Sequence, residues 1–396
     1  MPRTPLAVLD LIPRSSGDSI STAVRNTVEL AQQAERFGYQ RYWFAEHHLN
    51  PGVLGASPTV AISLVAASTS TIRLGSAGVQ LGHRQPLAVV EEFGLLDAAY
   101  PGRLDLGLGR SIGRSKPPTA AEKASDRANV AAAESAFADR LREGPHSADR
   151  YTPNGLLIPK QFDVSRLMAN SKGKLELLLD LLQQPGAYTP DYETQIDIIT
   201  GLLAGAHTFE GTPARAFPGE GAAVQLWILG ASGGSSATLA GERGLRFAAS
   251  YHLSPTTVLD AVEAYRAAFR PSPELDAPYI SVSADVVVGE TDEEAAELAA
   301  GYGLWVHSIR TGAGAIPFPS SEEVAAHEWT EDDRELVRDR VATQLVGSPR
   351  TVADKLEQLR DATGARELAI TTITHRHSDR VRSYRLLAEE WERRGN

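Results

Sequence analysis

The chemistry of this chain gathers first at Arg41-Tyr42-Trp43-Phe44-Ala45-Glu46-His47-His48, where an apolar run ends in a carboxylate and two imidazoles. Histidine is the side chain best placed to move protons near neutral pH. The apolar part reads as a buried strand, and in parallel α/β proteins catalytic groups collect at the C-terminal ends of strands. While the chain stays extended, alternation puts Glu46 and His48 on one face and His47 on the other. At most one imidazole therefore points straight into a site. Glu46, His47 and His48 are the candidate catalytic residues, set against the plainer reading of hydrogen-bonded structural groups.

A second constellation is Ser232-Gly233-Gly234-Ser235-Ser236, a small-residue loop between a strand and a helix. Free backbone N–H groups and hydroxyls there can cradle an anion at a helix N-terminus. No Gly-Lys-Ser/Thr follows, so it is not a P-loop, and a plain turn would look similar. Arg110, at the end of another strand, adds a guanidinium suited to phosphate. Gly75-Ser76-Ala77-Gly78 has side chains small enough to admit a flat ring, or simply to let strands pack closely. His375-Arg376-His377 offers two metal-ligand side chains at a strand end. No third ligand stands out by spacing, and ten histidines make chance pairs common, so no metal is assigned.

These groups need a scaffold. Strands are predicted at Leu6–Asp10, Arg41–Ala45, Ile72–Val79, Leu104–Gly109, Val224–Leu229, Leu245–Ala249, Tyr279–Val288 and Glu367–Thr372, separated by helical patterns. Ser19 and Ser57-Pro58 open two of the helices, Gly38 closes the first, and Thr59–Thr69, apolar nearly all round, should be well covered. One helix is expected from Thr291 to about Ile309, and the Gly/Pro-rich segment Gly312–Ser321 is expected to be mobile. Eight strand–helix units predict a (β/α)8 TIM barrel, residues 1–396 forming a single domain. The rhythm breaks over Ser111–Ala223, a long insertion between strands four and five. Helices are expected there at Ala121–Arg142, Lys174–Leu182 and Tyr192–Leu203. It is far longer than ordinary βα loops and is either a solvated excursion or a lid that selects the substrate.

The bulk of the sequence narrows the function. At 396 residues with 42% hydrophobic and 22% charged residues, a large core is affordable. A net charge of −11 without an aromatic-interleaved basic stripe argues against nucleic acid and anionic membranes. The absence of cysteine excludes disulfides, thiolate nucleophiles and iron–sulfur clusters. No apolar run approaches the roughly 18 residues of a membrane span, so a soluble cytoplasmic protein is expected.

Taken together, Trp43–His48, Leu74–Gly78, Gly102–Arg110, Ser232–Ser236 and Gly347-Ser348-Pro349 resemble the bacterial luciferase-like flavin monooxygenase family. The resemblance covers residues 5–110 and 224–390. It implies an FMN-dependent monooxygenase in which reduced FMN comes from a separate flavin reductase and, with dioxygen, oxygenates a small-molecule substrate. By position, His47 matches the catalytic imidazole. Arg110, Ser232 and Ser235 match FMN-phosphate contacts, Gly233 between them is counted as cofactor-binding, and Ala77-Gly78 falls where the family often has a non-proline cis peptide under the flavin. Relatives are commonly dimers, so a homodimer is implied, although no interface signature stands out. Two departures remove any implication of light emission: Ala231 replaces an acidic residue and Gly109 a reactive cysteine. The alternatives are a deazaflavin-dependent dehydrogenase or reductase of the same superfamily, a non-catalytic luciferase-like subunit, and a metal-dependent hydrolase.

Overall fold

The computed structural model describes residues 3–111, 113–114 and 146–396. The helix expected over residues 121–142 lies outside them. Eight parallel strands close on themselves: β1 (Leu6–Asp10), β2 (Arg41–Phe44), β3 (Arg73–Ser76), β4 (Leu104–Gly109), β5 (Gln225–Gly230), β6 (Arg246–Ser250), β7 (Ile280–Val288) and β8 (Glu367–Thr371). Each pairs with the next, and β8 pairs back with β1, Ala7 standing opposite Ala369. The predicted (β/α)8 barrel is therefore the observed fold, with strand ends shifted by a residue or two. The last part of the predicted third strand is separate, Val79–Gln80, and pairs with β4.

Alternation sorts the strand residues. Even-numbered side chains of β1, β2 and β4, such as Val8, Tyr42, Phe44, Leu104, Leu106 and Leu108, join the large core beneath the outer helices. Odd-numbered ones, including Ala7, Leu9, Trp43, Trp227 and Ala369, fill the barrel. Its N-terminal floor is charged. Arg41 donates to Glu367 (2.8 Å), Asp105 (2.9 Å) and Gln225 (2.9 Å), while Arg73 and the Trp43 indole also donate to Asp105. Carboxylates on two sides hold the Arg41 guanidinium fully protonated against the opposing cost of its burial. Gly75 is closed off by protein: a Cβ there would lie 2.5 Å from the Asp105 carbonyl oxygen and 2.8 Å from the Trp43 ring.

The outer ring comprises α1 (Ile20–Arg36), α2 (Pro58–Ala66), α3 (Pro86–Ala99), α4 (Tyr192–Leu203), α5 (Ser235–Glu242), α6 (Val258–Ala268), α7 (Pro349–Thr363) and α8 (His377–Arg393). Ser19 caps α1, accepting from Thr22 N at 3.0 Å, and Ser348 caps α7 ahead of Pro349. α4 buries Ile196, Ile199 and Leu202 and packs against α3, so the ring is regained before β5 begins.

Three expectations are corrected. The outward face of α2 is not covered: Val60 and Leu64 are exposed, as are Leu87 and Leu95 on neighbouring α3. The helix predicted over Thr291–Ile309 is two, Asp292–Ala299 and Tyr302–Arg310, broken beside Gly301, where a Cβ would lie 2.8 Å from the Phe318 ring. The Gly312–Ser321 segment is tied down rather than loose. Gly52 N donates to Ala315 O (2.7 Å), Phe318 N donates to Arg14 O (2.8 Å), and the Phe318 ring is buried. A helix at Glu331–Thr343, capped reciprocally by Thr330 and Asp333, was not foreseen.

Candidate active site at the barrel mouth

The C-terminal ends of the strands surround a cavity of about 690 Å³, within the range of small-molecule sites. Trp43 forms part of its lining, and the Trp43 and Trp227 rings meet edge-on at 4.8 Å. Leu9, Leu11, Trp305 and Ile309 give one apolar side. Ala77 and Gly78 line it as well, whereas Gly75 and Ser76 do not, and the peptide joining Ala77 to Gly78 is cis. A Cβ on Gly78 would come within 2.9 Å of the Gly107 carbonyl oxygen and 3.0 Å of a Leu229 methyl.

The end of β2 separates its three polar residues. His47 continues the inward register of Arg41, Trp43 and Ala45 and lines the cavity. Its Nδ1 is buried with no hydrogen-bond partner among the described residues. Burial, helped by nearby His48 and opposed by Glu46, pushes its pKa down to about 4, so the ring is neutral at pH 7. Glu46 is saturated. Its Oε1 accepts from Arg84 (2.8 Å), His48 (3.1 Å) and His83 (3.2 Å), and its Oε2 from Gln80 N (3.0 Å). Burial alone would raise its pKa, but these donors outweigh it and hold the carboxyl below the usual range. The effect is to stitch the end of β2 to residues 80–84. His48 faces Glu46 and His83 and does not line the cavity.

Glu46, His48 and His83 bring three ligand atoms close together, a grouping with the geometry of a metal site. Arg84 Nε occupies the same Glu46 oxygen, which opposes adding a cation there. His375 and His377 do not converge: the first contacts Ser16 O (3.3 Å) and the second Glu29 (3.4 Å).

On the β4–β5 side, Arg110, Ser232 and Ser235 come together, as their chemistry suggested. Arg110 Nη1 donates to Ser235 Oγ at 3.2 Å, and among the described residues no carboxylate pairs with Arg110. Ser235 is the first residue of α5, and Gly234 precedes it as N-cap. Ser232 and Ser235 line the cavity, as does Arg110, while Gly233 lies in the same turn but does not line it, and a Cβ there would come 3.0 Å from the Asp260 carbonyl oxygen. A guanidinium with no carboxylate partner among the described residues, two hydroxyls and a helix N-terminus at one rim suit an anion.

The β6–β7 side was missed in the sequence. His252 follows β6, with its Nδ1 2.6 Å from Ser283 Oγ and 3.1 Å from Ser250 Oγ. Burial drives its pKa down to about 4; Asp285 opposes this, and Arg340 and His47 reinforce it. Asp285, near the end of β7, is paired with Arg340 of the Glu331–Thr343 helix at 3.1 Å. All three residues line the cavity. The His252 imidazole is visible in the sequence, but nothing there tells that it faces His47 across a pocket.

The segment before α4 skirts this mouth. Asp149 pairs with Arg338 (2.6 Å) and His146 with Asp260 (2.8 Å), Lys174 Nζ reaches Ala313 O (3.5 Å), and Gln183 Nε2 donates to Gly82 O (2.8 Å).

With this geometry in hand, the sequence matches the luciferase-like monooxygenase family over residues 5–135 and 183–367. It is 32% identical over 394 residues to the uncharacterized protein YvbT of Bacillus subtilis (strain 168), covering 99% of this chain and 98% of that one. The apo crystal structure of MsnO8 superposes with a TM-score of 0.72 at 29% identity, covering 98% of each chain. Two further structures share the fold. One is the oxygenating constituent of 3,6-diketocamphane monooxygenase from Pseudomonas putida, a type II Baeyer–Villiger enzyme in complex with FMN (TM-score 0.56, 18% identity, 98% and 97% covered). The other is an F420-dependent secondary alcohol dehydrogenase (TM-score 0.58, 13% identity, 98% and 99% covered). No described helix is long and apolar enough to cross a membrane.

Proposed function

Since this chain belongs to the luciferase-like monooxygenase family, we propose that it is an FMN-dependent monooxygenase that takes reduced FMN from a separate reductase and uses dioxygen to oxygenate a small organic substrate. The observation that carries the reading is the mouth itself: an anion rim at Arg110 and Ser235 with no counter-charge among the described residues, beside a cavity wall at Ala77-Gly78 and the half-buried His47 imidazole. His47 lines the cavity while its Nδ1 is sealed in protein, so a bound molecule would meet the ring by its other edge. Arg110, Ser232, Gly233 and Ser235 would hold the FMN phosphate, and Ala77 and Gly78 would lie against the ring. Reduced FMN, when bound, supplies the electrons that activate dioxygen.

The chain's own residues do the rest. His47 presents a neutral imidazole able to hold or pass a proton at the ring edge. Glu46, saturated by four donors, fixes the strand end that carries it, with His48 as one of those donors. Leu9, Leu11, Trp305 and Ile309 keep water from the reacting atoms. Residues 146–190, which skirt the mouth, serve as the described part of a lid within a single barrel domain. The exposed apolar residues Val60, Leu64, Leu87 and Leu95 on α2 and α3 support a homodimer formed through that face.

Titration with FMN, riboflavin and F420 tests this reading. Arg110→Ala should weaken FMN by roughly 10- to 100-fold, the worth of a charge-assisted hydrogen bond to phosphate, and leave riboflavin unchanged. Equal losses for both would remove Arg110 from the phosphate. F420 binding without FMN binding would make the protein a deazaflavin enzyme.

A further inference from the structure

β7 lies four strands round the barrel from β3, so its wall faces the Ala77-Gly78 side across the cavity. Asp285 projects from this wall, and Tyr302 and Arg340 hold it in place. The Tyr302 hydroxyl donates to Asp285 Oδ2, Arg340 Nη2 donates to the same oxygen at 3.1 Å, and Arg340 Nε and Nη2 reach the Tyr302 oxygen at 3.1 and 2.8 Å. Asp285 and Arg340 are each 7% exposed. All these bonds use Oδ2, Nε and Nη2. Among the described residues nothing bonds Asp285 Oδ1 or Arg340 Nη1, and both residues line the cavity. His252 stands beside them, its Nδ1 engaged by Ser283 and Ser250.

We infer that the Asp285–Arg340 wall is the head-group subsite of the substrate pocket, and that it takes an uncharged carboxamide. The ion pair, joined through Oδ2 and Nη2 at 3.1 Å, leaves one acceptor and one donor unused among the described residues. A carboxylate would satisfy Arg340 and oppose Asp285; an ammonium would do the reverse. The two protein charges already neutralise each other, so an incoming ion gains little attraction to offset its lost hydration. A carboxamide meets both demands, its carbonyl accepting from Nη1 and its N–H donating to Oδ1. The apolar remainder of the substrate lies against Leu11, Trp305 and Ile309.

The inference rests on the proposed function for which cavity is the substrate's, and its test keeps the two apart. Purified full-length protein without flavin is titrated calorimetrically with hexanamide, hexanoate, hexylamine, hexan-1-ol and 6-aminohexanoate, and separately with FMN. Hexanamide should bind at least tenfold more tightly than any other member, as expected when a buried polar pair is left unmatched. Asp285→Asn should cut that preference by about tenfold with FMN affinity unchanged. An ion, the zwitterion or the alcohol binding as tightly as the amide overturns the inference, as does the absence of amide binding. The wild-type series needs no variant, so a misfolded Asp285→Asn does not shelter the inference. If the amide preference holds and FMN does not bind, the flavin reading fails and the subsite stands.

Discussion

The two ends of this barrel treat charge in opposite ways. At the floor, Arg41, Arg73, Asp105, Glu367 and Gln225 close a network in which one guanidinium is held by two carboxylates and an amide. At the mouth, among the described residues, Arg110 meets no carboxylate, His47 Nδ1 has no partner, and the Asp285–Arg340 pair keeps one unused atom on each side. The same residue types serve both ends. What differs is chiefly charge pairing: at the floor each guanidinium meets a carboxylate, although Glu367 Oε1 has no hydrogen-bond partner among the described residues, whereas Arg110 at the mouth meets no carboxylate among them. The comparison teaches that the closed end holds the barrel together and the open end is left to act, a division familiar in this fold class.

The hardest way to break this division is at Asp105. It accepts from Arg41, Arg73 and the Trp43 indole, and it has no exposure. Asp105→Ala takes a buried carboxylate from both Arg41 and the half-buried Arg73, and should cost about 3–5 kcal/mol of stability, read as a lowered midpoint in urea unfolding. A loss below about 1 kcal/mol would mean that the floor is not what holds the barrel closed.

At the mouth the signs should reverse. His47→Ala removes a ring whose Nδ1 makes no hydrogen bond among the described residues. It should slow substrate oxygenation by roughly 10²-fold or more, the usual worth of a positioned proton-transfer group, while the unfolding midpoint stays near that of the wild type. Equal damage to stability and turnover would place His47 with the floor.

The sequence showed much of this arrangement, and unevenly. All eight barrel strands were legible because apolar runs punctuated by Gly, Pro and helical patterns are local signals. His47 was separable from His48 by alternation, and Arg110 and Ser235 met because β4 and β5 are neighbours. The floor was not legible. Arg41 and Glu367 stand at the starts of apolar strands, where a charge reads as a solvent-facing boundary, and only barrel closure turns both inward. Asp285 and Arg340 lie on separate elements 55 residues apart, and the helix carrying Arg340 is too polar to show an apolar stripe. The bare face of α2 was misjudged because an all-round apolar helix implies cover without saying whose.

The mouth should also respond to acid in a way that follows from its burial. His47 and His252 both have pKa values lowered to about 4. Each ring is neutral in the fold, whereas in the unfolded chain it takes up a proton as pH falls below about 6.5. Unfolding is therefore favoured as pH drops from about 6.5 towards about 4, and the contribution levels off once the folded rings also protonate. Each histidine adds about 1.4 kcal/mol per pH unit within that window. His252→Gln should remove its share of the slope in urea titrations run from pH 7 to 4.5. An unchanged slope would mean that the β6–β7 wall is open to water.

The smallest expected effect is the sharpest discriminator, because it concerns the neighbour of the most sensitive residue. His48 points away from the cavity and gives Glu46 one of four hydrogen bonds, at 3.1 Å. In His48→Ala the carboxylate keeps Arg84, His83 and Gln80 N, so the end of β2 stays tied to residues 80–84. The lost bond is a partly buried one, worth about 0.5–1.5 kcal/mol, and it falls on stability rather than on the reacting atoms. Turnover should change by less than about threefold, since the imidazole that faces the cavity is untouched. Measured beside His47→Ala under single-turnover conditions, the two variants ask whether one step along a strand carries a residue from the working end of the barrel into its framework. If His48→Ala fell as far as His47→Ala, the saturated Glu46 cluster would belong to the mouth's chemistry, and the line between closed and open polar networks would have to be drawn outside it.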